Sequence, residues 1–306
     1  MMKPNFSTVL LTGANGFIGR ALLNRLLANN IKATCLVRNK ISIEDSEQCR
    51  QICIPEFTPA NILSALQGIS AEVIFHLAAY GVNPQAQSPL EMSNVNINAL
   101  IAILTAAEKW PVKQIIYTGT CSEYAPSGSQ LIKEDYPLNP SSIYGASKVA
   151  ASLFGRTVAQ QLKLPLIHLR LFGVFGPGEA VHRLAPCLIQ KLLLKERVKL
   201  SPGLQVRDFL YIDDVIDALI AAANLPAQLD TFNVCSSQPI TVRDFAHQTA
   251  ALMSLSNHLL EFGALDYRPD EPMWMAGDNN KFCSSTTWKP VTSLQDGLAK
   301  MIAYGR

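Results

Sequence analysis

The chain lacks the features that mark most specialised environments. It has no block of like charges and no basic stripe, and its net charge is only +2, so nucleic acid is not an expected partner. Seven cysteines occur without a Cys-x-x-Cys spacing or a neighbouring histidine cluster. That pattern excludes a zinc site, predicts no metal, and reads as incidental thiols in a reducing compartment. No apolar run approaches the ~20 residues of a membrane span, and Met1 to Ser7 lead into a strand without a signal-peptide core. Linkers, repeats and low-complexity tracts are absent as well. These absences predict a soluble, cytoplasmic protein with no membrane partner. What is present is 306 residues, 48% of them hydrophobic, enough for one large α/β unit or a main domain with a smaller partner.

Short apolar runs at 8–12, 32–37, 51–54, 72–77, 114–118 and 166–172 alternate with helical patterns at 18–29, 60–66, 94–109 and 144–161. This alternation predicts an α/β fold, a doubly wound parallel sheet covered on both faces, over residues 1–172. Residues 173–306 are less regular, with helical stretches at 184–195, 213–224 and 242–253. They are expected to form mainly a smaller substrate-binding region whose segments interleave with the first domain. Ligands of such sheets lie beyond the carboxyl ends of the strands.

The first strand runs into Gly13-Ala-Asn15-Gly16-Phe17-Ile18-Gly19 and then a helix. Glycines let the backbone approach a pyrophosphate, and the helix N-terminus offers it free N–H groups and a positive dipole end. The Gly-x-x-Gly-x-x-Gly spacing is a variant of the dinucleotide fingerprint, so the sheet is expected to be of Rossmann type. The second strand ends at Arg38, where an NAD binder usually carries an acid for the ribose 2′-hydroxyl. Arg38, with Lys40, would instead attract a 2′-phosphate, which favours NADP(H) over NAD(H).

Tyr144 and Lys148 lie one helical turn apart and project from one face. A lysine ammonium beside a phenol lowers the phenol's pKa and yields a proton donor and acceptor usable near neutral pH. Next to a nicotinamide, such a phenol suits carbonyl reduction or alcohol oxidation.

With both motifs placed, the chain resembles the extended short-chain dehydrogenase/reductase family, in its group of NAD(P)-dependent nucleotide-sugar epimerases, dehydratases and reductases. The likeness spans nearly the whole length. It rests on Thr12–Gly19, Val73–Ala79, Asn94–Leu100, Tyr144–Lys148, Val206–Val215, Tyr267-Arg268-Pro269 and Trp288-Lys-Pro290. The resemblance implies Gly13, Asn15, Gly16, Phe17, Ile18, Gly19, Arg38, Leu77, Ala78, Ala79, Asn96, Tyr144 and Lys148 as cofactor contacts. Aligning Tyr124 with the family's tyrosine makes Thr120 the third catalytic residue beside Tyr144 and Lys148, with Thr118 and Ser122 as rivals. Cys121, Ser122, His182, Arg207 and Arg268 are implied at the substrate, the two arginines on its diphosphate. A satisfied structural histidine is the plainer reading of His182. Asp208, Asp213 and Asp214 are expected to organise their loop and cap the following helix. Met273, Trp274 and Met275 suit either a nucleotide base or the core.

Two departures narrow the activity. Sugar 4,6-dehydratases carry an acid just after the catalytic Thr, whereas this chain has Cys121-Ser122, and Glu123 falls where the family has an apolar residue. Dehydration is therefore not expected. Gly173 replaces an asparagine that contacts substrate phosphate in many relatives. The resemblance implies NADP(H)-dependent reduction of the 4-keto group of a nucleoside-diphosphate 4-keto-6-deoxyhexose. An NAD-dependent nucleotide-sugar 4-epimerase is the alternative, and a catalytically idle dinucleotide sensor a third. A homodimer formed by pairing helices 94–109 and 144–161 into a bundle is also implied.

Overall fold

The structure is a computed structural model that describes residues 2–82, 88–269 and 271–305. It opens with β1 (Thr8–Thr12), α1 (Phe17–Ala28), β2 (Lys32–Val37), β3 (Cys49–Cys53), α2 (Pro59–Ala65) and β4 (Val73–His76). Next come α3 (Pro89–Met92), a π-helical stretch over Ser93–Asn98, α4 (Ala99–Ala107), β5 (Gln114–Thr120), α5 (Ile143–Gln161) and β6 (Leu166–Leu171). The second half contributes β7 (Gly173–Phe175), α6 (Leu184–Leu193), β8 (Val198–Leu200), β9 (Val206–Tyr211), α7 (Ile212–Ala223) and β10 (Asp230–Val234). It ends with β11 (Pro239–Thr241), α8 (Val242–Leu252), β12 (Leu260–Phe262), β13 (Trp274–Met275), α9 (Asn280–Ser285) and α10 (Leu294–Gly305).

Seven parallel strands form the main sheet in the order β10-β6-β5-β4-β1-β2-β3. The order reverses between β1 and β4, which opens the crevice where this architecture binds ligands. The alternation of side chains along each strand builds two cores. Val9, Leu11, Phe75 and Ile116 face α1, α6 and α7 with Leu22, Leu26, Leu188 and Leu219. Leu10, Ile74 and Ile115 face α2, α4 and α5 with Ile62, Leu100, Ile103 and Ala151. The strands read as continuous apolar runs because both faces are covered.

β10 returns from the second half to pair with β6 in register Phe232↔Leu169. A second sheet joins β7, β11 and β13 to β9 beyond the carboxyl ends of the main strands. The expected helix at 94–109 begins earlier, at Pro89, and widens into a π turn at Ser93–Asn98, a distortion common at functional sites. Pro89–Ala107 is the one helix among the described residues long and apolar enough for a membrane span, contrary to the expectation of none. Half of it is buried in the protein, and Ala99, Leu100, Ile103 and Leu104 belong to the second core.

Candidate functional site

Gly13 stands at φ +76°, and a Cβ there would lie 2.7 Å from the Leu77 carbonyl carbon and the Ala78 nitrogen. Only glycine lets this turn sit against the end of β4. Thr12 ties the two ends together: its Oγ1 accepts from Ala78 N at 3.2 Å and lies 2.8 Å from His76 Nδ1. The following helix starts at Gly16 with no side-chain cap and no acid in its first turn. The N–H groups of Phe17, Ile18 and Gly19 are thus presented to an anion, as dinucleotide binding requires. Asn15 donates from Nδ2 to the Asn39 carbonyl at 2.9 Å, which joins the glycine turn to the end of β2. Arg38 is exposed there and forms no hydrogen bond or ion pair among the described residues.

Thr120 ends β5 and opens a 3-10 turn over Cys121–Glu123. Its Oγ1 accepts from Ser122 N at 3.2 Å, so the hydroxyl keeps its proton for donation elsewhere. The turn abuts the start of α5, where a side chain at Gly145 would overlap the Ser122 carbonyl. Thr120 and Tyr144 are thereby held on adjoining segments. Ser142 caps α5, its Oγ accepting from Gly145 N at 3.1 Å.

Lys148 is 1% exposed. Its Nζ sits 4.4 Å from the centroid of the Tyr117 ring and has no hydrogen-bond partner among the described residues. Burial pulls its pKa down to about 8, opposed by the charge of Glu123. A buried ammonium without an acceptor, beside a glycine turn and an uncapped helix start, fits a dinucleotide whose ribose hydroxyls it would meet. The expected lowering of the Tyr144 pKa is not what the structure shows. Burial pushes the phenol above its ordinary value, helped by the charge of Glu123 and opposed by that of Arg183. Desolvation dominates, so Tyr144 holds its proton firmly and is an acid before it is a base.

Asn96 ties two site segments together. Its Oδ1 accepts from Tyr80 N at 2.8 Å, and its Nδ2 donates to Tyr80 O at 2.9 Å and Ser147 Oγ at 2.8 Å. Ser147 in turn donates to Tyr144 O at 2.8 Å. Asn96 therefore pins the Leu77–Ala79 loop to the helix bearing Tyr144 and Lys148.

The substrate-side residues divide. Burial pushes the Cys121 thiol up to about 11, so it is no thiolate. Arg207 pairs with Glu271 and donates to the carbonyls of Val206 and Pro272, each at 2.7 Å. Arg268 is exposed, and its carbonyl accepts from the N–H of Glu271, the acid paired with Arg207, at 3.1 Å. His182 is exposed without a hydrogen bond among the described residues, and nothing places it against Tyr144. The residue missed on that segment is Glu179. Its side chain is 7% exposed, and it pairs with Arg183 at 3.4 Å. Burial raises it to about 7. An acid inside Gly176-Pro-Gly-Glu179 was the available signal.

Gly173 has a packing reason. A Cβ there would lie 2.6 Å from the Asp208 carbonyl, so the family's asparagine has no room. Asp208 organises its loop, accepting from Ser236 N and Oγ, both at 2.7 Å, and from Ser237 N at 2.9 Å. The expected caps do not form: α7 has no side-chain cap, Asp214 accepts from Val291 N and Thr292 N, and Asp213 pairs with Lys300. Trp274 donates to Gln130 O, and Met275 is buried.

Fold and glycine turn together define an oxidoreductase of the Rossmann type. The chain belongs to the NAD dependent epimerase/dehydratase family, whose model matches residues 9–235. It is 29% identical to UDP-glucose 4-epimerase of Mycolicibacterium smegmatis, over 97% of this chain and 98% of that protein. It is 26% identical to CDP-abequose synthase of Salmonella typhimurium, over 96% of this chain and 97% of that one. UDP-glucuronic acid 4-epimerase from Bacillus cereus, solved with UDP-glucuronic acid and NAD, superposes with a TM-score of 0.85 at 26% identity, covering 97% of this chain and 98% of that chain.

Proposed function

We propose that the protein reduces the 4-keto group of a nucleoside-diphosphate 4-keto-6-deoxyhexose with NADP(H). The observation that carries this reading is the placement of Glu123. Glu123, the acid on the turn that follows Thr120, is fully buried and committed to His168 and Arg170, which leaves its carboxylate no dehydratase role. What remains is a centre for moving hydride and proton at a single carbon. The dinucleotide, when bound, supplies the hydride. Thr120 donates its hydroxyl proton in a hydrogen bond that orients the carbonyl oxygen. Tyr144, kept protonated by burial, gives its proton to the forming alkoxide. Lys148 holds the nicotinamide ribose, and Arg207 and Arg268 offer guanidinium groups to the diphosphate. Arg38, exposed at the end of β2 and without an ion pair among the described residues, supports a 2′-phosphate. A homodimer belongs to this reading, with Leu153 and Phe154 standing 57% and 54% exposed on α5 as its apolar contacts.

A 4-epimerase that retains NAD is the second reading. It is supported by the Mycolicibacterium smegmatis relative and by the NAD in the Bacillus cereus structure. The test is NADPH consumption with a panel of 4-keto-6-deoxy sugar nucleotides, with Tyr144→Phe as control. Stoichiometric oxidation that disappears in the variant is expected. Conversion of the sugar without net oxidation moves the assignment to the epimerase, and cofactor binding without either change moves it to a dinucleotide sensor.

A further inference from the structure

Glu123 has no part in the reaction as proposed, yet the fold is built around it. Its Oε1 accepts from Thr120 N at 2.9 Å and lies 3.1 Å from His168 Nε2, while its Oε2 accepts from Arg170 Nε at 3.0 Å. Gly119 makes the room, since any side chain there would overlap both the His168 ring and the Glu123 carboxylate. His168 stacks on Tyr117 with centroids 5.1 Å apart and planes at 26°. Tyr117 carries Lys148 Nζ 4.4 Å from its centroid. These rings are cross-strand neighbours on β5 and β6, so the sheet register itself builds the column of ammonium, phenol ring, imidazole and carboxylate.

We propose that Glu123 is a positioning residue for this reaction: its carboxylate holds the turn bearing Thr120, and through the His168–Tyr117 stack it supplies the buried negative charge that keeps Lys148 an ammonium. The inference rests on the roles proposed for Thr120 and Lys148. Three physical arguments carry it. A turn that must present a hydroxyl is fixed by its backbone, and Glu123 takes the Thr120 amide directly. A cation buried without an acceptor depends on nearby charge and on an aromatic face, and the column provides both. The same charge disfavours loss of the Tyr144 proton, which preserves the acid form that reduction requires. The other groups facing the column are His76 on β4, which stacks on Tyr117 at 5.8 Å, Arg170 on β6, Tyr144 on α5, and Cys121 and Tyr124 on the turn. Of these only Arg170 carries a charge at neutral pH, and it is paired to Glu123 itself.

The experiment follows the Lys148 side chain directly. Lysines labelled with ¹³C at Cε are titrated by NMR, with the Lys148 signal assigned by its loss in Lys148→Arg. Wild-type protein titrates near the pKa of about 8 set by burial. Glu123→Gln lowers this midpoint by on the order of one pH unit, the effect of removing a buried unit charge. Glu123→Asp, which keeps the charge, leaves it near the wild-type value. The alkaline limb of kcat for carbonyl reduction moves with the midpoint, because the ammonium is the active form. A midpoint that Gln leaves in place, or that Asp and Gln move equally, overturns the inference.

Because Glu123→Gln strands Arg170, a reciprocal measurement is made in protein that keeps Glu123. Lys148→Met must raise the Glu123 midpoint, since coupling between two sites is mutual. An unmoved Glu123 overturns the inference as well. Inactivity on every sugar nucleotide with the lysine shift intact sinks the proposed function instead. An unmoved lysine in an enzyme active on a 4-keto sugar sinks this inference alone.

Discussion

Replacing Asn96 tests whether the cofactor loop and the catalytic helix are one unit. The side chain is fully buried and spends one acceptor and two donors on Tyr80 N, Tyr80 O and Ser147 Oγ. Asn96→Ala removes all three bonds and leaves groups that water reaches poorly. At about 1 kcal/mol per lost bond, with a further desolvation cost for stranded partners, the loss of stability comes to about 3–4 kcal/mol. Urea unfolding at neutral pH measures it through the midpoint at constant slope. Asn96→Asp separates hydrogen bonding from packing. The aspartate still accepts from Tyr80 N but turns a second oxygen toward the Tyr80 carbonyl, so at neutral pH it destabilises at least as much as alanine. Its carboxyl is then raised in the folded state relative to the unfolded chain. Its deficit therefore shrinks as pH falls through the raised value, when the protonated acid again donates one bond. Dinucleotide affinity should fall with stability in both variants, because the Leu77–Ala79 loop loses its anchor. An alanine variant within 1 kcal/mol of wild type, or an aspartate variant whose deficit does not shrink in acid, would refute the reasoning.

Three further outcomes are expected. Arg38→Ala weakens NADPH binding by about 10- to 100-fold, the worth of a charge-assisted phosphate contact, and leaves NADH nearly unchanged; equal loss for both in a fluorescence titration would remove the 2′-phosphate assignment. Gly173→Asn costs about 1–3 kcal/mol in thermal unfolding and does not tighten substrate, because the new side chain meets the Asp208 carbonyl. Lys148→Met stabilises the fold. The lysine's folded pKa of about 8 lies below its ordinary 10.5, so the penalty is full below pH 8 and vanishes above 10.5. The gain measured by urea should be up to about 3 kcal/mol at pH 7 and fade across that window, while activity is lost.

Much of the site was legible because its chemistry is local. Gly13 to Gly19 announce a strand-to-helix turn by spacing alone, and Tyr144 and Lys148 share a face by helical geometry. The misreadings arose where burial or a distant partner decides. The Tyr144 phenol was expected to be acidified by its lysine neighbour, but desolvation and the charge of Glu123 raise it instead. The partners of the Asn96 amide, Tyr80 sixteen positions away and Ser147 fifty-one away, are set only by the fold. Asp213 and Asp214 stand where helix caps stand, but the two amides that hold Asp214 come from Val291 and Thr292.

The sequence by itself determined the parallel α/β sheet and the dinucleotide turn. Each is written in residue type and short-range spacing, which the chain carries before it folds. Tertiary structure alone decided where the charges settle. Glu123 became a buried anion because the register of β5 on β6 sets Tyr117 against His168 and Gly119 beside both. Gly173 stayed glycine because β9 crosses it at Asp208. Desolvation and strand register are properties of the packed molecule, and no local pattern encodes them.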